Sequence, residues 1–122
     1  ICFGYAAIIH QRPSGYSFLP ELAGCSCKQV SVETAQSKLA CSVLAKLEGK
    51  KIMVGCLDLN DMTVESPEIV VARIKRALPY VKAENVILAP DCGMKYLPRD
   101  VAFGKMKSMV EAAKMLRAEM GG

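Results

Sequence analysis

Four residues of this chain have side chains that do chemistry and stand at comparable places in its pattern: Cys2, Glu33, Asp58 and Cys92. Each closes an apolar or alternating run that reads as a strand. Parallel strands bring their carboxyl ends side by side, at the sheet edge where α/β proteins place ligands. Two thiols and a carboxylate delivered there form a mixed sulfur–oxygen donor set suited to zinc. A structural zinc site uses close pairs such as Cys-x-x-Cys. Donors drawn singly from separate strands, with a fourth place to fill, are the pattern of a catalytic zinc. The bland alternatives are a buried core cysteine at Cys92 and, at Glu33, a carboxylate that caps the next helix or pairs with Lys95.

The elements that would position these residues follow from periodicity. Asn85–Ala89 is a short apolar run ending in Pro90-Asp91-Cys92-Gly93, which predicts a strand buried on both faces. Lys51–Asp58 predicts a second, Gln29–Glu33 a third by alternation, and the apolar Ile1–Ala7 a fourth strand end running into a loop over His10–Gly15. Between them lie predicted helices. Ser17–Leu22 has Pro20 near its start and Gly24 as its stop. A second, N-capped by Thr34, carries Leu39, Val43, Leu44 and Leu47 and closes at Gly49. Ser66-Pro67-Glu68 opens a third, whose apolar face is Ile69, Val70, Ile74, Ala77 and Leu78. Arg99–Met120 is a long amphipathic helix with Val101, Met106, Met109, Val110, Leu116 and Met120 at spacings of three and four. This order is α/β: four β/α units with parallel strands and right-handed crossovers. No Gly-x-Gly-x-x-Gly and no P-loop follows any strand, which excludes the commonest nucleotide-binding folds.

Composition narrows the function classes. At 122 residues, 52% hydrophobic and 23% charged, the chain suits one domain with a real core. Its formal charge of +4 is spread over positions such as Lys50, Arg73, Lys75, Lys105 and Lys107, which read as solvated helix faces. Without basic–aromatic interleaving, no nucleic-acid partner is expected. No apolar run reaches the roughly 18–20 residues of a membrane span, so no membrane partner is expected either. Six cysteines amid ample aliphatic residues read as reduced thiols of a cytoplasmic protein. Cys41 and Cys56 are expected in the core, and Cys25 and Cys27 as ordinary side chains ahead of a strand. His10 reads as a solvated loop residue, or else as a substitute metal ligand. Asp58 and Asp91 would bind substrate or hold hydrogen bonds to the site.

Four segments carry a wider likeness: Gly55-Cys56-Leu57-Asp58, Val64-Glu65-Ser66-Pro67-Glu68, Pro90-Asp91-Cys92-Gly93-Met94-Lys95, and Ala102-Phe103-Gly104-Lys105-Met106 with the helix that follows. Through them the chain resembles the C-terminal catalytic domain of cobalamin-independent methionine synthase. The resemblance implies a (β/α)8 TIM barrel, of which residues 1–122 would be a single fragment, the C-terminal half with about four β/α units. It implies a zinc-dependent methyltransferase that passes a methyl group to the zinc-bound thiolate of homocysteine to make methionine. Cys2 would be the cysteine of the family's His-x-Cys pair, Glu33 its glutamate and Cys92 its last zinc ligand, with the histidine falling one position before Ile1. Asp58 and Asn60 match the Asp-x-His positions at which that family delivers a proton. An amide at Asn60 supplies no proton near neutral pH, which leaves the methyl donor open between methyltetrahydrofolate and another, such as a methylated corrinoid. The isolated fragment is expected to be inactive and, with open sheet edges, to self-associate. The alternatives are a non-catalytic half-barrel scaffold and a related methyltransferase of the same barrel superfamily.

Overall fold

The structure is a computed structural model that describes residues 1–5, 8–11 and 15–121. Three strands, β1 (Gln29–Val32), β2 (Lys51–Leu57) and β3 (Val86–Pro90), form a parallel sheet in the order β1-β2-β3. The register aligns Val30 with Ile52 and Val86, and Val32 with Val54 and Leu88. These two rows share one face, because alternate residues of a strand point the same way. Helices α1 (Leu19–Ala23), α2 (Pro67–Lys75) and α3 (Arg99–Glu119) and 3-10 stretches at Cys41–Leu47 and Ala83–Asn85 accompany the sheet, with α2 and α3 packed on β2 and on each other. Val32, Val54, Val70 and Ile74 are buried in that layer, each contributing on the order of 1.5–3 kcal/mol. The opposite face, with Ser31, Met53 and Ile87 in register, is only half-buried. No helix among the described residues is long and apolar enough to cross a membrane.

Several expectations need correction. Residues 1–5 form no strand, so the described sheet has three strands where four were expected. The segment reaches β1 through the Ile1 nitrogen, which donates to the Ser31 carbonyl (2.7 Å), and its Phe3 N–H donates to the Glu33 carboxylate. A ladder needs successive backbone pairs. Ala6 and Ala7, at the end of that predicted strand, and Arg12, Pro13 and Ser14 of the predicted loop lie outside the described residues. β3 is not buried on both faces: Val86, Ile87 and Leu88 are half-buried and Ala89 alone is buried, since β3 is an edge strand of the described sheet.

The helix expected from Thr34 shrinks to a 3-10 stretch over Cys41–Leu47. Its first turn is broken at Lys38, whose φ of 51° lies outside the right-handed helical region, while the N–H groups of residues 34–36 are bound to Asp91. Gly49 does stand in the left-handed region, at φ 81°. Helix α2 begins at Pro67 as expected, but Ile69, assigned to its apolar face, is exposed. On α3, Met106, Val110 and Met120 are likewise exposed, while the buried stripe is Lys105, Ala112 and Leu116.

Candidate metal centre

The geometry starts where β2 and β3 end. Pro90 has no N–H to give the ladder, and the β2–β3 register shifts between Gly55 and Leu57 at that point. The chain then turns through Asp91 into Cys92. Opposite it stands Cys2, with the two sulfurs 3.3 Å apart in hydrogen-bond contact. The Gly4 N–H donates to the Cys2 sulfur at 3.2 Å, and the Phe3 N–H donates to Glu33 Oε2 at 2.9 Å. Cys2 is thus held one residue from the Glu33 carboxylate.

Glu33 is buried just past β1. Gln36 Nε2 donates to its Oε1 at 3.3 Å, and its own N–H donates to the Tyr16 hydroxyl at 3.2 Å. That hydroxyl donates in turn to the Ile1 carbonyl, and the Tyr16 ring stacks on Phe3 with centroids 4.3 Å apart. Tyr16 therefore fastens the segment carrying Cys2 to the residue carrying the carboxylate. Asp91 fixes the other side. Its carboxylate accepts the N–H groups of Thr34, Ala35 and Gln36, while the Thr34 hydroxyl donates to the Gly55 carbonyl at 2.7 Å. Three successive N–H groups around one carboxylate make an anion nest. Gly55 is required beneath it: a Cβ there would fall 2.1 Å from Asp91 Oδ1.

Electrostatically the cluster is acidic, with Glu33 and Asp91 buried and Cys2 exposed. Burial raises the Asp91 carboxyl to about 6, more than offsetting its N–H bonds, with the charge of Glu33 adding to the rise. Burial pushes the Cys92 thiol up, and its bond to Cys2 and the charges of Cys2 and Glu33 push it further. The Tyr5 phenol is raised by burial and then by Cys92. Among the described residues, two buried polar atoms here, Tyr5 Oη and Gln36 Oε1, meet no hydrogen-bond partner. Such groups cost about 1–3 kcal/mol when left unmet. Beside Cys92 opens a pocket of about 340 Å³ lined by Tyr5, Ile8, Ile9, Lys95 and Tyr96.

Asp58 and Asn60 belong to a different cluster. The Asn60 N–H donates to Asp58 Oδ1 at 2.8 Å, and the Asp58 N–H donates to Glu65 Oε1 at 2.8 Å. Glu65 is clamped between Arg73 (2.9 Å) and Lys105 (2.7 Å). Lys105 Nζ also donates to the carbonyls of Asp58 (3.0 Å) and Thr63 (2.7 Å), so its three protons meet three acceptors. This corrects the solvated placement expected for Lys105, which is wholly buried, and for Arg73, which is half-buried and ion-paired.

Of the residues singled out by sequence, Cys2, Cys92 and Glu33 are brought to one sheet edge. Among the described residues, however, no group of three His, Cys, Asp or Glu side chains converges tightly enough to hold a metal as the chain stands. Asp58 and Asn60 bond to each other and to the Glu65 cluster. His10 is exposed; Cys41 and Cys56 are buried, with burial pushing the Cys56 thiol to about 12. Sequence reasoning missed Tyr16, Gln36 and the Lys105–Glu65–Arg73 cluster. Only Lys105 left a signal, since it shares the helical stripe of Ala112 and Leu116.

Comparison with known proteins places this geometry. The family model described as cobalamin-independent synthase, catalytic domain, matches residues 15–115. A methionine synthase of Sulfurisphaera tokodaii is 33% identical over 114 residues, covering 93% of this chain and 34% of the relative. One from Methanocaldococcus jannaschii is 33% identical over 118 residues, covering 89% and 38%. The structure of a B12-independent methionine synthase from Shewanella sp. W3-18-1, in complex with selenomethionine, superposes with a TM-score of 0.81 at 30% identity, over 84% of this chain and 30% of that one. The chain thus spans about a third of the length of these relatives.

Proposed function

The chain belongs to the cobalamin-independent synthase catalytic-domain family, and from that premise we propose that it carries the metal-binding edge of a methyltransferase acting on homocysteine to form methionine. Cys2, Glu33 and Cys92 would hold a zinc ion. The observation that carries this reading is the 3.3 Å approach of two thiols beside a buried carboxylate that is one N–H away from Cys2. The donor chemistry fits: soft sulfur with one oxygen suits zinc, and a cation among these groups would offset the negative charges of Cys2 and Glu33 that add to burial in raising the Cys92 thiol. When bound, zinc supplies the Lewis acidity that keeps a substrate thiol in its nucleophilic form at neutral pH.

The chain's own residues do the positioning. Asp91 draws in the loop after β1 and sets Glu33 against Cys92, and Tyr16 sets Cys2 against Glu33. The unpartnered Tyr5 hydroxyl and Gln36 carbonyl oxygen offer a donor and an acceptor to substrate. Asp58 and Asn60 line the end of β2, where Asn60 offers an amide; the methyl donor is methyltetrahydrofolate or another methylated carrier. The protein works as a TIM barrel of which these residues form the C-terminal half. The half-exposed face of Met53 and Ile87 and the open edges of β1 and β3 support that. Those edges lead us to propose self-association of the isolated chain, read as a dimer by sedimentation; a monomer would overturn it. An aliphatic core that needs no disulfide staples fits the reducing, cytoplasmic setting we propose.

Zinc content with cobalt substitution tests the site. The purified chain should take up one equivalent of cobalt(II) with thiolate charge-transfer absorption, lost in Cys92→Ser and Cys2→Ser. A chain that binds no metal at neutral pH is instead a scaffold. The isolated 122 residues should bind metal without turning over homocysteine, and turnover would overturn that expectation.

A further inference from the structure

A second pair of sulfurs lies at the opposite end of the sheet. Cys25 and Cys27 precede β1, and their sulfurs approach to 2.8 Å. Their backbone is pinned on both sides. The Cys25 N–H donates to the Leu22 carbonyl at the end of α1, and the Lys28 carbonyl accepts the Lys51 N–H at the start of β2. Lys50 reaches across from the turn before β2, and its Nζ donates to the carbonyls of both Cys25 (2.5 Å) and Cys27 (2.8 Å). Cys27 is exposed and Cys25 half-exposed.

We propose that Cys25 and Cys27 form a reversible Cys-Ser-Cys disulfide by exchange with small-molecule disulfides, a redox site separate from the Cys2–Cys92 edge. The fold holds the two sulfurs in contact, so ring closure needs little further ordering of the chain. The electrostatics divide the roles. The hydrogen bond from Cys27, and then the Lys50 charge, lower the Cys25 thiol, while the same bond raises Cys27. Cys25 is the thiolate that attacks a disulfide RSSR, forming a Cys25–SR bond and releasing RS⁻, which leaves as RSH on protonation. Cys27 then loses its proton and attacks the Cys25 sulfur, releasing the second RSH. Two protein thiols are oxidised and one RSSR is reduced to two RSH, with both protons accounted for.

The test equilibrates the 122-residue chain with graded mixtures of reduced and oxidised glutathione, then maps alkylated peptides by mass. The peptide bearing Cys25 and Cys27 should lose two hydrogens at a glutathione ratio at least about tenfold more reducing in the native chain than in urea, since the fold prearranges the pair. Cys41 and Cys56 should stay reduced throughout. Cys27→Ser should trap a stable mixed disulfide on Cys25, and Lys50→Met should slow Cys25 alkylation several-fold in native buffer. Equal oxidation ratios in the native and unfolded chains would overturn the proposal. So would a Cys25 that stays unmodified in Cys27→Ser.

Discussion

The two sulfur pairs, one at each end of the same three strands, show how little the residue type decides. Cys2 and Cys92 sit against buried Glu33 and Asp91, where burial and negative charge hold the Cys92 thiol in its protonated form. Cys25 and Cys27 sit at the surface, where the hydrogen bond from Cys27 lowers the Cys25 thiol and the charge of nearby Lys50 adds to that. A thiol surrounded by carboxylates becomes a good donor when a metal cation is present, and a thiol beside an ammonium is nucleophilic by itself. The contrast extends to the scaffolding. At the carboxyl end, buried polar groups fix the loops: the Asp91 nest and the Lys105–Glu65–Arg73 cluster. At the amino end, a half-buried lysine bridges two carbonyls near water.

Replacing the lysine at each end tests this contrast most strongly. Lys105→Met removes one partner of a buried ion pair and strands the carbonyls of Asp58 and Thr63. We expect a loss of about 3–5 kcal/mol in urea unfolding. Lys50→Met should cost about 1 kcal/mol, because the carbonyls it releases can meet water. Equal costs at the two ends would erase the distinction between a buried and a solvated anchor.

Glycines give a smaller, sharper version of the same comparison. Gly55→Ala drives a methyl into the Asp91 carboxylate and should cost about 1–3 kcal/mol as the nest opens. Cobalt affinity should fall with it, because Glu33 shares that loop. Gly49→Ala meets no atom within 4 Å but must hold φ at 81°, a strain of about 1–2 kcal/mol. It should leave cobalt affinity unchanged. Equal metal affinity in the two variants would show that the Asp91 nest does not position Glu33.

Much of the fold was legible because it rests on local periodicity. The bounds of β1, β2 and α3 and the start of α2 fall within a residue or two of the apolar runs and caps that announce them, Ser66-Pro67 above all, while α2 ends at Lys75, short of the Ala77 and Leu78 assigned to it. The places of Glu33 and Cys92 just past β1 and β3 were legible too, since strand ends are easy to place once the strands are, whereas Cys2 lies beside Cys92 without a strand to carry it. What stayed hidden depends on partners distant in sequence. Thr34 reads as a helix cap, yet its hydroxyl is taken by Gly55 and its N–H by Asp91, 57 positions away. Lys105 reads as solvent-facing because a lysine is almost never fully buried unless paired, and its partner Glu65 lies 40 positions upstream. Tyr16 carried no pattern at all. Its role exists only once Phe3 and Glu33 have been folded onto it.

The subtlest expected effect separates the two carboxylates of the carboxyl end by their response to acid. Burial acts to raise the Glu65 carboxyl, but hydrogen bonds from Lys105, the Asp58 N–H and Arg73 outweigh it, and the group lies below the ordinary carboxylate range. A carboxyl depressed by folding adds stability above its unfolded value of about 4.3, and loses it as pH falls through the folded value, because the unfolded chain then binds the extra proton. Asp91 titrates in the opposite sense, its carboxyl being raised to about 6, so the pH profile of the wild-type chain alone would mix the two. Subtracting the urea stability of Glu65→Gln removes the Asp91 contribution, which both chains share. The difference should be flat from pH 7 to about 5 and then shrink by at most about 1.4 kcal/mol per pH unit. A difference that stays constant down to pH 3 would mean that Glu65 gains nothing from ionisation in the fold. The Lys105 cluster would then owe its stability to packing and hydrogen-bond geometry, and the two ends of the sheet would differ in burial alone.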